Sequence, residues 1–430
     1  MKRIFPTKKA AAASAASAPE KATFLVRPGS SRKSRSLGAS PTRRCDQPEL
    51  KSLSSRGGAG SRSMGTADDT GFVVSSGMSK TCREDAEEGV SCADAMSRSF
   101  SPTPKRLGRH EPMPEMGGAY GKHVLTLREA SLGERVFLGQ GEFCTAERTH
   151  VGDRMLAVKR LRRERAKDQA ACRDLEREIH LMSSMDHPNI LKVAATGVLD
   201  NGQPFMCVEL LSSVLSRSLP KTIEEVPIWT RQRVIKKWPL TRAVSVGLGL
   251  ANALHYCHNL FSSRYRVLHR DLKPANIGFM SDGRVVLFDF GVCSFWDKEK
   301  DFEEPDAPRP LTGLTGSLRY MAPEVALEQP YNHKSEVFSF ATVLWEMASH
   351  VRPFEWMDSD MFMEYACRQG VRCKLGKSWP TEFKELINAC WSIDMNDRPD
   401  AEEIVLKLKA IQGDLYTSKG QLQRSSATVM

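Results

Sequence analysis

The chain has 430 residues, of which 27% are Asp, Glu, Lys or Arg, and a formal net charge of +10. No apolar run approaches the ~18–20 residues that a membrane-crossing helix needs, so no helical span is expected. Eleven cysteines without paired or metal-ligand spacing argue against a disulfide framework or a zinc site, and for free thiols in a reducing compartment.

The charge is unevenly placed. The first 110 residues hold 20 of the 62 Lys and Arg but only 10 of the 52 Asp and Glu, leaving the remainder neutral with 42 of each. The basic balance therefore belongs to an arm and does not indicate a specific nucleic-acid-binding fold. Residues 1–124 are rich in Ser, Ala, Gly, Arg and Pro and poor in aromatics. Such text buries too little apolar area to offset ~1–2 kcal/mol of backbone ordering per residue, so a disordered arm is expected. Within it, Ser30 to Ser36 form a basic patch, and Ser40-Pro41, Ser101-Pro102 and Thr103-Pro104 are candidate phosphorylation sites. The first nineteen residues lack acids, a loose likeness to an organellar transit peptide. They show no amphipathic Arg-rich helix, and a cytoplasmic or nuclear protein is the expectation.

Order is expected from residue 125. Arg135–Leu138, Met155–Arg160, Ile190–Thr196 and Phe205–Leu210 are short, apolar and read as strands. Between the second and third, Leu175, Ile179 and Met182 recur at steps of four and three, which predicts a helix over Ala170–Met185. Beyond Leu211 the pattern turns helical: Thr241–Cys257 has near-helical apolar spacing, and Ser335–Ala348 is apolar almost all round, as in a buried helix. This gives an α+β chain with a small sheet-rich lobe (about 125–210) before a larger helical lobe (about 211–412). A flexible polar tail is expected over 413–430.

Leu138-Gly139-Gln140-Gly141-Glu142-Phe143-Cys144-Thr145-Ala146 offers glycines whose backbone N–H groups can approach phosphate oxygens. Leu156-Ala157-Val158-Lys159 follows, bringing an ammonium that can reach phosphates as a point charge. Glu178 lies on the predicted helix, nine residues before His187. His269-Arg270-Asp271-Leu272-Lys273-Pro274-Ala275-Asn276 groups a carboxylate, an amine and a carboxamide, and Asp289-Phe290-Gly291 begins thirteen residues after Asn276.

These blocks, in this order, resemble the motifs of eukaryotic protein kinases. The likeness covers roughly 132–411. It implies a two-lobed fold, with a small antiparallel-sheet lobe carrying one helix and a larger, mainly helical lobe, and it implies transfer of the γ-phosphate of Mg²⁺-bound ATP to protein hydroxyls. By resemblance, Asp271 orients the acceptor hydroxyl, Lys273 stabilises charge on the moving group, and Asn276 and Asp289 hold Mg²⁺. Lys159 meets the phosphates and is anchored by Glu178. Ala157, Val208, the Glu209 carbonyl and the Leu211 N–H belong to the adenine pocket and hinge. His269, Phe290 and Met182 are packing residues.

Further motifs agree. Ala322-Pro323-Glu324 closes the activation segment and favours protein substrates. Arg270 would pair with a phosphate on that segment, with Thr312 or Thr315 as the switch set by an activating kinase. Ser317 matches a hydroxyl that contacts Asp271 and Lys273, and Arg398 would pair with Glu324. Lys273-Pro274 resembles the serine/threonine type, while Cys390-Trp391 and Asp397-Arg398-Pro399 resemble the tyrosine-kinase-like group.

Four positions depart from the pattern. Cys144 replaces the third glycine and suggests an oxidation-sensitive loop. Ala146 and Gly278 stand where larger residues sandwich adenine, which predicts a roomier site. Glu336 replaces the usual Asp that braces the catalytic loop and should displace that carboxylate. These departures favour the rival reading of a pseudokinase scaffold that binds partners without catalysis. The intact set of Lys159, Glu178, Asp271, Asn276 and Asp289 opposes it. A small-molecule phosphotransferase on the same fold is a third reading.

Overall fold

The computed structural model describes residues 124–220, 227–300, 304 and 306–427. The expected arm and its phosphorylation sites lie outside these residues, Val124 apart. The small lobe is built on a six-stranded sheet: β1 (Leu125–Arg128), β2 (Val136–Gln140), β3 (Cys144–Val151), β4 (Arg154–Leu161), β5 (Val193–Val198) and β6 (Pro204–Glu209). Their order across the sheet is β1-β5-β6-β4-β3-β2. Five strands form an antiparallel sheet, and β1 adds to its edge in parallel with β5. That sixth strand was not expected. Gly197 permits it, because a Cβ there would sit 2.3 Å from the Leu127 carbonyl oxygen and 2.6 Å from the Phe205 ring.

Strand alternation decides which side chains face the cleft. In β4, Leu156 and Val158 are buried with Ala195, Phe205 and Cys207, while Ala157 and Lys159 point to the other face. Helix α1 (Gln169–Ser184) matches the predicted helix within a residue at each end. Asp168 caps it by accepting from the Ala170 and Ala171 N–H groups at 3.1 and 3.2 Å. Its buried face carries Leu175, Leu181 and Met182, with Glu178 among them.

The larger lobe begins with β7 (Ser213–Val214), which pairs with β9 (Ile277–Phe279), itself paired with β10 (Val285–Leu287). A second ribbon joins β8 (Tyr265–Leu268) to β11 (Ser294–Asp297). Helices α2 (Leu215–Ser218), α3 (Ile228–Lys237), α4 (Leu240–His255), α5 (Pro323–Ala326), α6 (Lys334–Ser349), α7 (Ser359–Met361), α8 (Thr381–Cys390) and α9 (Ala401–Ala427) complete it. As expected, α6 is buried nearly all round, with Val337, Phe338, Phe340, Ala341, Val343 and Leu344 fully enclosed.

The boundary expected at residue 412 falls inside α9, whose helical backbone continues to Ala427. Residues 413–427 contain no proline to break the backbone, although Gly413 and Gly420 are weak helix formers. No helix among the described residues is long and apolar enough to cross a membrane.

The predicted ion pair is present. Arg398 Nη1 and Nη2 donate to Glu324 Oε1 and Oε2 at 2.5 and 2.9 Å, with the arginine side chain fully buried. Its guanidinium also faces the Phe338 ring at 5.4 Å. Truncating one partner strands the other charge, which costs about 3–5 kcal/mol. Arg398→Leu should therefore lower the unfolding free energy of the full chain by that amount in urea titrations, and the double variant Arg398→Leu/Glu324→Leu should recover part of it.

Candidate active site

Lys159 on β4 is the meeting point of three elements. Its Nζ donates to Glu178 Oε1 and Oε2 at 2.6 and 2.7 Å and to Asp289 Oδ1 at 2.7 Å. Glu178 is 2% exposed, so its carboxylate is tolerated only because the ammonium meets it. Burial works against the Lys159 charge, but Asp289 and Glu178 outweigh it and hold the ammonium protonated. Lys159 in turn holds the Asp289 carboxyl down at about 2. Burial pushes Glu178 upward. Asp289 adopts a left-handed backbone, with φ 68°, a strained conformation of the kind found at functional sites.

The second cluster lies on the catalytic loop. Lys273 Nζ bonds Asp271 Oδ2 at 2.7 Å and Ser317 Oγ at 3.0 Å. Asn276 Nδ2 donates to the Asp271 carbonyl at 2.9 Å and to Asp271 Oδ2 at 3.1 Å. Asp271 Oδ1 is buried and has no partner among the described residues. A buried acceptor without a donor is costly, which marks it as the place for an incoming hydroxyl. His269 supports the loop: its Nε2 donates to the Phe288 carbonyl at 3.0 Å and its Nδ1 accepts the Asp271 N–H at 3.2 Å. Its ring lies edge-on to buried Phe290 at 4.7 Å. Met182 and Phe290 pack in the core as expected, whereas buried His269 also braces the loop through its hydrogen bonds.

These contacts decide the fit to a metal. Both side-chain bonds of Asn276 use its nitrogen, so Oδ1 is left as an acceptor, and Asp289 keeps Oδ2 beyond its bond to Lys159. Two hard oxygens suit Mg²⁺. No group of three or more His, Cys, Asp or Glu among the described residues could hold a metal without help from a ligand.

Arg270 is fixed from several sides. Its Nε donates to the Val292 carbonyl at 2.7 Å, and Nη1 donates to Thr312 Oγ1 at 2.7 Å and to the Tyr331 hydroxyl at 3.4 Å. Its Nη2 is buried without a partner among the described residues. Thr315 is 3% exposed, and its hydroxyl is spent on Thr312 and Gly313 oxygens. The structure thus separates two threonines that the sequence left equivalent.

The expected displacement at Glu336 does not occur. Its Oε1 accepts the Arg270 N–H at 2.5 Å, and Oε2 accepts from His258 Nε2 at 2.6 Å. The longer side chain is gripped at both oxygens, so the brace persists. His258 lies 78 residues away in the chain, and nothing in local spacing announced it.

At the nucleotide end, Leu138, Gly139 and Gln140 close β2, while Cys144 and Ala146 open β3, which the sequence had left unassigned. Gly141, Glu142 and Phe143 form the hairpin tip, closed by Gly141 N–H to the Cys144 carbonyl at 2.7 Å. The Arg165 guanidinium covers the Phe143 ring at 5.2 Å, a contact the sequence reading missed. Burial raises the Cys144 thiol to about 12, so thiolate is scarce at neutral pH. That argues against the oxidation-sensitive loop.

Ala157 and Val208 face each other across β4 and β6, one residue before Glu209 and three before Leu211. The gap expected at Gly278 is filled: a Cβ there would lie 2.7 Å from both Leu211 methyl carbons. The floor of the pocket is not roomier on this side.

A six-stranded small lobe, a lysine paired with a buried glutamate and a carboxylate-bearing loop thus come together in a two-lobed fold. The protein kinase domain family model matches residues 133–407, and the chain belongs to that family. It is 28% identical to the dual specificity protein kinase shkA of Dictyostelium discoideum, over 66% of this chain and 50% of that protein. It is 28% identical to the serine/threonine-protein kinase VIK of Arabidopsis thaliana, over 67% of this chain and 61% of VIK. It is 32% identical to serine/threonine-protein kinase 12 of the same plant, over 63% of this chain and 54% of that protein. The chain thus spans about half to three fifths of the length of these relatives.

Burial opposes the Glu336 charge, but the hydrogen bond and charge of His258 prevail and hold its carboxyl below the usual 4.5. A lowered folded value means that ionisation stabilises the fold in full above pH 4.5, and that this contribution is lost as pH falls through the folded value. Glu336→Gln should cost about 1–3 kcal/mol at pH 7. The gap to wild type should narrow in urea unfolding below pH 4.5.

Proposed function

We propose that the chain is a protein serine/threonine kinase that transfers the γ-phosphate of Mg²⁺-bound ATP to protein hydroxyls. The observation that carries this is the unpaired, buried Asp271 Oδ1 beside Lys273, in a loop that Glu336 and His269 hold rigid. Asp271 Oδ1 is positioned to accept the hydroxyl proton. Lys273, shared between Asp271 and Ser317, offers positive charge to the group in flight. Lys159 presents its ammonium to phosphate oxygens from a fixed anchor. Asn276 and Asp289 would hold the metal, which supplies charge neutralisation between phosphates when bound. The names of the relatives, serine/threonine and dual specificity kinases, support protein substrates. Lys273-Pro274 and the Lys273–Ser317 contact support serine and threonine as acceptors.

Transfer of labelled γ-phosphate to a generic basic protein tests this. Asp271→Asn should lower the rate about 10²–10⁴-fold, and Lys159→Met should abolish phosphate positioning with comparable loss. Label should appear on serine and threonine. Equal signal from wild type and both variants would establish the non-catalytic scaffold instead.

The same reading assigns the switch to Thr312. Phosphate on its hydroxyl would meet the Arg270 guanidinium, whose Nη2 stands unpaired. An activating kinase, or the chain itself, would supply that phosphate. Thr312→Ala removes a hydrogen bond to Arg270 and should lower the melting temperature modestly, but above all it should remove activation by phosphorylation. Thr315→Val should mainly lower the melting temperature. Undiminished activation of the Thr312→Ala protein, with phosphate mapped elsewhere, would overturn the assignment.

A further inference from the structure

We infer that Leu211, at the exit of the hinge, supplies the apolar floor beneath the purine in place of the side chain that Gly278 lacks. It thereby determines how the base is recognised. The inference rests on reading the cleft as an ATP site. Ile277 and Phe279 on either side of Gly278 are 0% and 6% exposed, with their side chains in the core. Strand alternation sends position 278 the opposite way. There the two methyl carbons of Leu211 lie 2.7 Å, and its Cγ 3.2 Å, from where a Cβ would stand. A real Cβ could not share that space, so the leucine branch occupies the volume of the missing side chain.

The hinge is drawn onto β9 to achieve this. Ser212 N–H donates to the Phe279 carbonyl at 2.8 Å, and its hydroxyl donates to the Phe279 and Met280 carbonyls at 2.9 and 3.1 Å. Ser213 and Val214 then pair with Phe279 and Gly278 as β7. The approach brings Leu211 over Gly278, while Leu211 itself remains only partly buried and keeps surface for a flat apolar ring. One residue would thus serve the base twice, through its N–H at the edge and its branch at the face.

The experiment compares ADP affinity, by calorimetry on the full chain, for wild type, Leu211→Ala, Gly278→Leu and the double variant Leu211→Ala/Gly278→Leu. Thermal unfolding is recorded alongside. Leu211→Ala should bind ADP about tenfold more weakly, as expected for losing one branched apolar contact. Gly278→Leu should bind more weakly still and melt lower, because two branches then compete for one volume. The double variant moves the branch from hinge to strand and should return to within about threefold of wild type. An ADP affinity for Leu211→Ala within about twofold of wild type would overturn the inference while leaving the ATP reading intact. So would a double variant no better than Gly278→Leu. Failure of wild type to bind ADP at all would instead defeat the ATP reading, and the inference with it.

Discussion

The arrangement depends on one ammonium. Lys159 meets Glu178 from α1 and Asp289 from the segment after β10, both within 2.7 Å. Two carboxylates brought this close repel each other, and Glu178 is too deeply enclosed to be hydrated. Without the lysine, α1 could not seat its face against the sheet while keeping that carboxylate charged. The interaction therefore fixes the helix, the strand and the loop that carries Asp289 by a single requirement. Its net negative balance leaves room for more positive charge nearby, which suits a site meant to receive a divalent cation with its phosphates.

Beneath it, the catalytic loop is held in a costly shape. Arg270 and Asp289 both have positive φ, 64° and 68°, which side-chain-bearing residues seldom adopt. The strain is offset locally. Glu336 takes the Arg270 amide, His269 takes the Asp271 amide, and Asn276 takes the Asp271 carbonyl. Each of those side chains is nearly or fully buried. The loop is thus preorganised before any substrate arrives, which is what phosphoryl transfer asks of a protein.

Much of this was legible in the sequence. Short apolar runs and helical spacing located four strands and three helices, and short motifs pointed to Lys159, Glu178, Asp271 and Asp289 as one constellation. Contacts set by tertiary approach were not legible. The parallel β1 depends on Gly197 making space, and the His258 grip on Glu336 joins residues remote in the chain. Leu211 filling the Gly278 gap is of the same kind, since the candidates nearest in sequence, Ile277 and Phe279, turn into the core. The Thr312 and Thr315 pair shows a subtler limit. Composition makes them equal, and only burial and hydrogen bonding tell them apart.

β1 is also where the described chain enters the sheet. It lies at the opposite border of the sheet from β2, with four strands between them. The hairpin between β2 and β3 is therefore coupled to that entry point only through the ladders between them. A load applied at the border strand would be shared by the intervening ladders before it reached that hairpin.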